Sequence, residues 1–198
     1  MEDNIKNHIL NLLTNQLKDF DILDGSQQRT IGDLIEHKIV EILSNTRDNF
    51  ITDTIKARGK KSIEDITVIS NGVNYYIDPK THNVNAKFSM PNLTSIERLR
   101  ILLSTPNYEL IYIIVKYEIV GNKVIIKGFN LFYLWEIDCS ILRVGALGKG
   151  QLQVKNAKKP LVFTKIGKEN WFNEFRKLSL EFFETQIIKL KKQILDWE

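Results

Sequence analysis

The sequence is short of the residues that mark several classes of protein. A single cysteine among 198 residues, Cys139, excludes a disulfide framework and any zinc site built from several thiolates. With 10 Gly and 4 Pro, the chain is neither collagen-like nor a low-complexity linker. No stretch approaches the roughly 18 apolar residues of a membrane-spanning helix, and the acidic start MEDNIKNHIL is unlike a signal peptide. We therefore expect a soluble, cytoplasmic protein without a membrane partner.

The net charge of +4 is unevenly distributed. From Arg143 to Lys168 there are seven basic residues and no acidic one, so the rest of the chain sums to 4 − 7 = −3. A local positive excess of this size suits a polyanion, and nucleic acid is the common one inside cells. A solvated basic loop is the alternative that charge alone leaves open.

Hydrophobic periodicity predicts helices on either side of several strands. Helical spacing of apolar residues predicts helices over 3–18, from about 26 to 44, 91–103 and 170–197. Alternation predicts strands over 65–70, 73–80, 110–120 and 123–129. We interpret 45–62 as a connection and the basic stretch 145–159, within 143–168, as a long DNA-reading loop. The pattern favours one α/β (α+β) domain over 1–198, with a central mixed β-sheet flanked by helices.

A hairpin rich in carboxylates is the strongest chemical signal. If Asn71 and Gly72 form a two-residue turn, Asp65 faces Asp78, and Lys80 shares the face of Asp78. Opposed carboxylates repel each other and need a proton or a cation between them. Mg²⁺ binds through one or two carboxylates and keeps waters or phosphate oxygens as its other ligands. A lysine beside them can stabilise a phosphate or orient a metal-activated water, so the pattern favours metal-dependent phosphodiester hydrolysis over a merely charged surface hairpin.

These residues resemble the catalytic hairpin of the PD-(D/E)xK nucleases. Residues 77–100 and 144–156 are similar, more narrowly, to type II restriction endonucleases of the HincII kind, in the EcoRV-type subgroup. The resemblance implies a restriction-endonuclease-like fold and a Mg²⁺-dependent homodimer. It further implies cleavage of both strands of a short palindromic double-stranded DNA site, with blunt ends. Such an enzyme acts in a prokaryotic cytoplasm beside a DNA methyltransferase that modifies the same site.

The resemblance also assigns roles at the hairpin. It makes Asp65 and Asp78 metal ligands, assisted by the carbonyl of Pro79, and makes Lys80 the catalytic lysine. Relatives often carry a further acid on an N-terminal helix as Gly-x-x-x-Glu, and GDLIE at 32–36 makes Glu36 the candidate third carboxylate. A solvated helix residue is the other interpretation of Glu36. Pro79 departs from the usual apolar strand former, and since proline lacks a ladder donor we expect this strand at an edge or bulged.

Candidate DNA-binding residues lie after the hairpin and in the basic stretch. Glutamine and asparagine side chains can pair with base edges, whereas lysine contacts phosphate or guanine. The candidates are Thr81, His82, Asn83, Ser95, Arg98, Lys149, Gln151, Gln153, Lys155 and Asn156. A general-base role for His82 is not required by a metal-plus-lysine scheme. Two other functions stay open: a repair or recombination nuclease that recognises DNA structure, and a DNA-binding protein without catalysis.

Overall fold

The computed structural model describes residues 2–22, 28–57, 62–86, 92–145, 150–156 and 159–197. The helices are α1 (Glu2–Gln16), α2 (Gln28–Ser44), α3 (Ile96–Leu102) and α4 (Lys168–Leu195). The strands are β1 (Phe20–Asp21), β2 (Asp53–Lys56), β3 (Ile66–Ser70), β4 (Val73–Asn83), β5 (Asn92–Ser95), β6 (Tyr108–Val120), β7 (Lys123–Tyr133), β8 (Leu142–Gly145) and β9 (Gln151–Val154). The chain divides into two compact units, 1–91 with 104–134 and 92–103 with 135–198.

The first unit is built on a six-stranded sheet. Its strand order is β1-β7-β6-β4-β3-β2, in which β4 and β6 are parallel and every other pair is antiparallel. Asn71 and Gly72 both have positive φ, 49° and 76°, as a type I′ hairpin turn requires. The β6–β7 hairpin turns at Gly121, with φ 59°. The expected mixed sheet with flanking helices is confirmed.

Two amphipathic helices cover this sheet. Helix α1 packs on β7, and α2 packs on β4, β3 and β2. Each buries a stripe at helical spacing, which consists of Ile5, Ile9 and Leu13 in α1 and Ile31, Ile35, Ile39 and Leu43 in α2. Both helices fall where the apolar spacing places them. Helix α2 therefore stands against the strand that carries the candidate site.

The second unit contains a three-stranded antiparallel sheet, in the order β5-β9-β8, together with α3 and α4. The first turns of α4 form its core, where Trp171, Phe172 and Phe175 are buried. The Trp171 indole Nε1 donates a hydrogen bond to the Ile137 carbonyl at 2.7 Å and its ring stacks on Phe175. These aromatic residues are therefore core residues. No helix in the described part of the chain is both long enough and apolar enough to cross a membrane.

Three sequence-based expectations for local structure are wrong. Strand β2 lies inside the expected connection 45–62, β5 replaces the first turn of the helix expected from Pro91, and β9 lies inside the expected loop 145–159. Each of these strands has four residues and is held by pairing with another strand: β2 pairs with the nearby β3, and β5 pairs with β9 from far along the chain. Pairing between strands, which local propensity does not contain, therefore decides their conformation. Residues 87–91, 146–149 and 157–158 lie outside the described part.

Candidate active site

The carboxylate hairpin forms in the predicted register. The β3–β4 ladder runs from Ser70 opposite Val73 to Ile66 opposite Ile77. Asp65 is the next residue, and its amide donates to the Ile77 carbonyl at 2.9 Å, the residue that Ile66 already faces. Asp65 and Ile66 thus both lie opposite Ile77, which is the pattern of a β-bulge. The regular ladder therefore ends before Asp65 can pair with Asp78. The prediction that these two residues lie directly opposite each other in the ladder is therefore wrong.

Asp78 and Lys80 form an ion pair on one face of the central strand β4. Lys80 Nζ lies 2.7 Å from Oδ2 and 2.9 Å from Oδ1 of Asp78, whose exposed fraction is only 7%. Alternation along the strand places both side chains on the same side, as the sequence predicts. A carboxylate this buried requires a positive partner, because desolvation otherwise disfavours its charge. Lys80 provides that partner.

Pro79 is tolerated in this strand for a reason other than the expected one. Of the two expectations, an edge or a bulge, the edge does not hold for β4 as a whole, because β4 lies between β6 and β3. The backbone N–H groups of β4 point alternately toward β6 and toward β3. The Asn74 amide donates toward β6, to the Asn107 carbonyl at 2.9 Å, so the amides of odd-numbered residues point toward β3. Strand β3 pairs with β4 only as far as Ile77. The side of Pro79 that lacks an N–H therefore points past the last β3–β4 pair, and its carbonyl oxygen points to the same side.

Helix α2 approaches β4 very closely at Gly32. A Cβ added at Gly32 would lie 2.8 Å from Thr81 Oγ1, closer than real Cβ contacts. Glycine is thus what allows the helix to reach the strand at this level. Glu36 follows one helical turn later, on the same side of α2 as Gly32. The Gly-x-x-x-Glu pattern therefore has a structural basis here.

Glu36 is coupled electrostatically to the other site residues. Burial is the main cause that raises its pKa from 4.5 to about 7; Lys80 opposes the shift, and Asp65, Asp78 and Asp33 add to it. These influences require Glu36 to lie near the hairpin carboxylates, as a third acid would. A freely solvated helix residue would not have such a pKa. The structure thus gathers Glu36, Asp65, Asp78 and Lys80 in one electrostatic neighbourhood.

The charge of this cluster fits a divalent cation. With Asp65, Asp78 and Lys80 charged, the hairpin groups sum to −2 + 1 = −1, and Glu36 adds a further negative charge as the pH rises through its pKa of about 7. Among the described side chains, no group of three or more His, Cys, Asp or Glu forms a ready metal cage. Mg²⁺ does not need one, because it keeps waters and binds through one or two carboxylates. Asp65, Asp78 and the Pro79 carbonyl would be the residues to hold it.

The raised pKa of Glu36 makes folding stability depend on pH. A carboxyl with a folded pKa of about 7 and an ordinary value of 4.5 stabilises the fold fully below 4.5, and this contribution is lost as the pH rises to about 7. In EDTA, we expect the free energy of unfolding to fall over this range, and to fall less in Glu36→Gln. Urea titrations at several pH values measure it, with the exposed Glu41→Gln on the same helix as control. An equal decline in wild type and Glu36→Gln would contradict the assignment.

The contact at Gly32 gives a second prediction. Gly32→Ala should push α2 away from β4, move Glu36, and lower the DNA cleavage that the sequence predicts by up to about 10²-fold, since displacements of an ångström have such effects. Removing the obstructing hydroxyl should restore the approach. We therefore expect Gly32→Ala combined with Thr81→Ala to cleave nearly as fast as Thr81→Ala alone, in initial-rate assays. A double variant as slow as Gly32→Ala would show that the contact is not the cause.

The candidate DNA-binding residues after Lys80 have distinct surroundings. The hydroxyl of Thr81 faces Gly32 of α2, and the Asn83 side chain accepts a hydrogen bond from the Asn85 amide at 3.0 Å. Burial, together with Lys116, lowers the pKa of His82. Lys116 stands beside His82 in the β4–β6 ladder and was not among the sequence candidates. Its only signal in the sequence is a single lysine within an apolar strand.

The candidates in the second unit are partly held by their own unit. Strand β9 buries Leu152 and Val154 and turns Gln151 and Gln153 to its other face. Gln153 Nε2 donates to Asn92 Oδ1 at 2.6 Å, so this amide is already positioned.

The remaining candidates are held in several ways. Lys155 Nζ donates to the Ser140 carbonyl at 2.7 Å, and Ser95 Oγ accepts from the Arg98 amide as the N-cap of α3. Asn156 follows β9, and its carbonyl accepts from the Lys159 amide at 3.2 Å. Lys149 lies outside the described residues.

Comparison with known proteins identifies the fold. The solved structure of the NlaIV restriction endonuclease matches with a TM-score of 0.52 and 16% sequence identity, over 82% of this chain and 70% of that one. No protein-family model and no curated protein sequence matches the chain. At this identity the match shows the architecture alone. The chain therefore has a restriction-endonuclease-like fold.

Proposed function

We propose that the protein is a Mg²⁺-dependent type II restriction endonuclease of the PD-(D/E)xK superfamily, of the HincII kind. The observation that carries the proposal is the buried Asp78–Lys80 pair, with Asp65 and Glu36 in electrostatic range. This pair lies on the central sheet of a fold that resembles the solved structure of the NlaIV restriction endonuclease. We propose that the enzyme acts as a homodimer, cuts both strands of a short palindromic DNA site and leaves blunt ends.

The site residues divide the chemistry among them. Asp65, Asp78 and the Pro79 carbonyl would hold Mg²⁺, which when bound supplies a more acidic water and a polarised phosphate. Lys80 brings an ammonium group to this position, where it can stabilise negative charge that develops on the phosphate. Glu36, with a pKa of about 7, can exchange a proton with the attacking water near neutral pH.

DNA recognition is assigned to the residues that can pair with bases or phosphates. Gln151, Gln153 and Asn156 would read base edges, while Lys149 and Lys155 would contact phosphate or guanine. Thr81, His82 and Asn83 directly follow the catalytic lysine in sequence and would meet the scissile backbone. Ser95 and Arg98 would contact phosphates. A DNA methyltransferase with the same target site would protect the host genome.

Digestion of a sequenced genome tests the proposal. Purified protein with Mg²⁺ should give discrete fragments whose mapped ends share one short palindrome, and EDTA should stop the reaction. Cutting at junctions or damage instead of at a sequence would identify a repair or recombination nuclease and overturn the restriction assignment. Tight DNA binding with no Mg²⁺-dependent cutting would overturn the nuclease proposal altogether.

A further inference from the structure

The C-terminal half of α4 carries a row of exposed apolar residues. Their spacing alternates between three and four positions, which is the heptad pattern of a coiled coil. We call this row the α4 seam; it consists of Leu180, Phe183, Ile187, Leu190 and Ile194 on α4, and Trp197 continues it two residues beyond the end of the helix. Their exposed fractions range from 44% for Phe183 to 92% for Trp197. A contiguous apolar strip of this length is unusual on a monomer surface.

The α4 seam is not the side by which the helix joins its own unit. That contact is made by a different side of α4, where Leu178, Phe182 and Gln186 line a groove with β8. The buried residues of the helix all precede Leu180 and end at Ser179. The helix therefore uses one side within the chain and presents a second, apolar side to the surroundings.

We propose that the α4 seam pairs with the same seam of a second copy of this chain, as an antiparallel coiled coil. In an antiparallel coiled coil, an a position of one helix faces a d position of the other. Two copies of the α4 seam meet this requirement. Leu180 would face Trp197 of the partner subunit, Phe183 would face Ile194, and Ile187 would face Leu190, with the reciprocal contacts generated by two-fold symmetry. Such a self-complementary surface is what a two-fold dimer requires.

The charges beside the seam favour the antiparallel orientation. In that register, Glu184 of one helix lies beside Lys191 of the partner subunit, and the symmetry repeats the pair. In a parallel dimer the same two residues would lie beside Ser179 and Gln186, which are uncharged. Within the described chain, neither Glu184 nor Lys191 forms a salt bridge, so both side chains are available to a partner. Charge complementarity thus favours a second copy of the chain as the partner and an antiparallel orientation of the two helices.

This inference rests on the proposed function only in expecting two copies, and α4 alone supplies the surface. Its test measures mass rather than cleavage, so either proposal can fail without the other. Sedimentation equilibrium of the full chain without DNA should show a dimer at micromolar concentration. Ile187→Glu should raise the dimer dissociation constant by at least about 100-fold, because it places a charge in the seam.

The neighbouring residue offers a matched control. Ile188 is 69% exposed but points away from the seam, so Ile188→Glu adds the same charge at comparable exposure and should leave the dimer intact. Circular dichroism should show both variants to be folded. A monomeric wild-type chain, or a dimer equally tolerant of both substitutions, would overturn the proposal.

Charge reversal tests the direction of the helices. Glu184→Lys alone and Lys191→Glu alone should each weaken the dimer by about tenfold, because each places like charges together at two sites. The double variant Glu184→Lys with Lys191→Glu should restore wild-type affinity by re-forming both pairs with reversed sign. A double variant no tighter than the single ones would exclude the antiparallel register.

Discussion

Replacing Asp78 by asparagine is expected to lower the rate of DNA cleavage by about 10³-fold or more. The carboxylate is the most buried acid of the site and pairs with Lys80 through both oxygens. Asparagine keeps the size and one acceptor oxygen but removes the charge that a divalent cation requires. DNA binding without metal and the circular dichroism spectrum should be retained, because the strand and its neighbours are unchanged. Single-turnover cleavage at saturating protein concentration measures the effect on the chemical step.

The chain contains a second carboxylate–lysine pair outside the site, which is more exposed than the pair of Asp78 and Lys80. Glu118 on β6 accepts from Lys127 on β7 at 2.9 Å, within the same sheet. Glu118→Gln removes an equivalent carboxylate charge and should leave the cleavage rate within about twofold, as expected for an exposed pair. If Asp78→Asn and Glu118→Gln cleaved at the same rate, Asp78 would have no part in catalysis.

Lys80→Met is expected to lower cleavage by about 10² to 10⁴-fold, the range typical of a lost acid–base or charge-stabilising group. Methionine keeps most of the aliphatic stem and removes the ammonium group. Because the loss acts on the chemical step, the apparent affinity for DNA should change little while the single-turnover rate falls. Raising the Mg²⁺ concentration should not restore the rate, since the cation would be held by Asp65 and Asp78.

Lys127→Met is the corresponding control, with the same substitution on the same sheet. It should cleave at close to the wild-type rate. The proposal that the chain binds DNA without catalysis predicts instead that Lys80→Met behaves like Lys127→Met in every assay. A Lys80→Met protein that cleaves at the wild-type rate would reject Lys80 as a catalytic residue, and no cleavage by any of the proteins would support that alternative.

The hairpin could be predicted because its information is local. Asn71 and Gly72 are a pair of residues that accept positive φ, so they determine the turn and, with it, the register of the two strands. Alternation then places Lys80 beside Asp78. The apolar stripes of α1 and α2 could be predicted for the same reason, because helical spacing is visible within one short stretch of sequence.

The environment of Pro79 could not be predicted in this way. Proline in a strand indicates an edge or a bulge, yet β4 is central, and the position is permitted because the β3–β4 ladder ends at the pair of Ile66 and Ile77. Strands β2, β5 and β9 were missed for a related reason. Four residues carry too short a pattern of their own, and their conformation comes from pairing with another strand, which for β5 is the distant β9.

The sequence by itself determined the register of the β3–β4 hairpin and the common face of Asp78 and Lys80, because a two-residue turn and the alternation of a strand leave one arrangement. Only the tertiary structure decided that Glu36 joins them. That required α2 to approach β4 at Gly32, and it required burial beside Asp65 and Asp78 to raise the pKa of Glu36 to about 7. Burial and the electric field of distant residues are properties of packing, which a linear pattern does not specify.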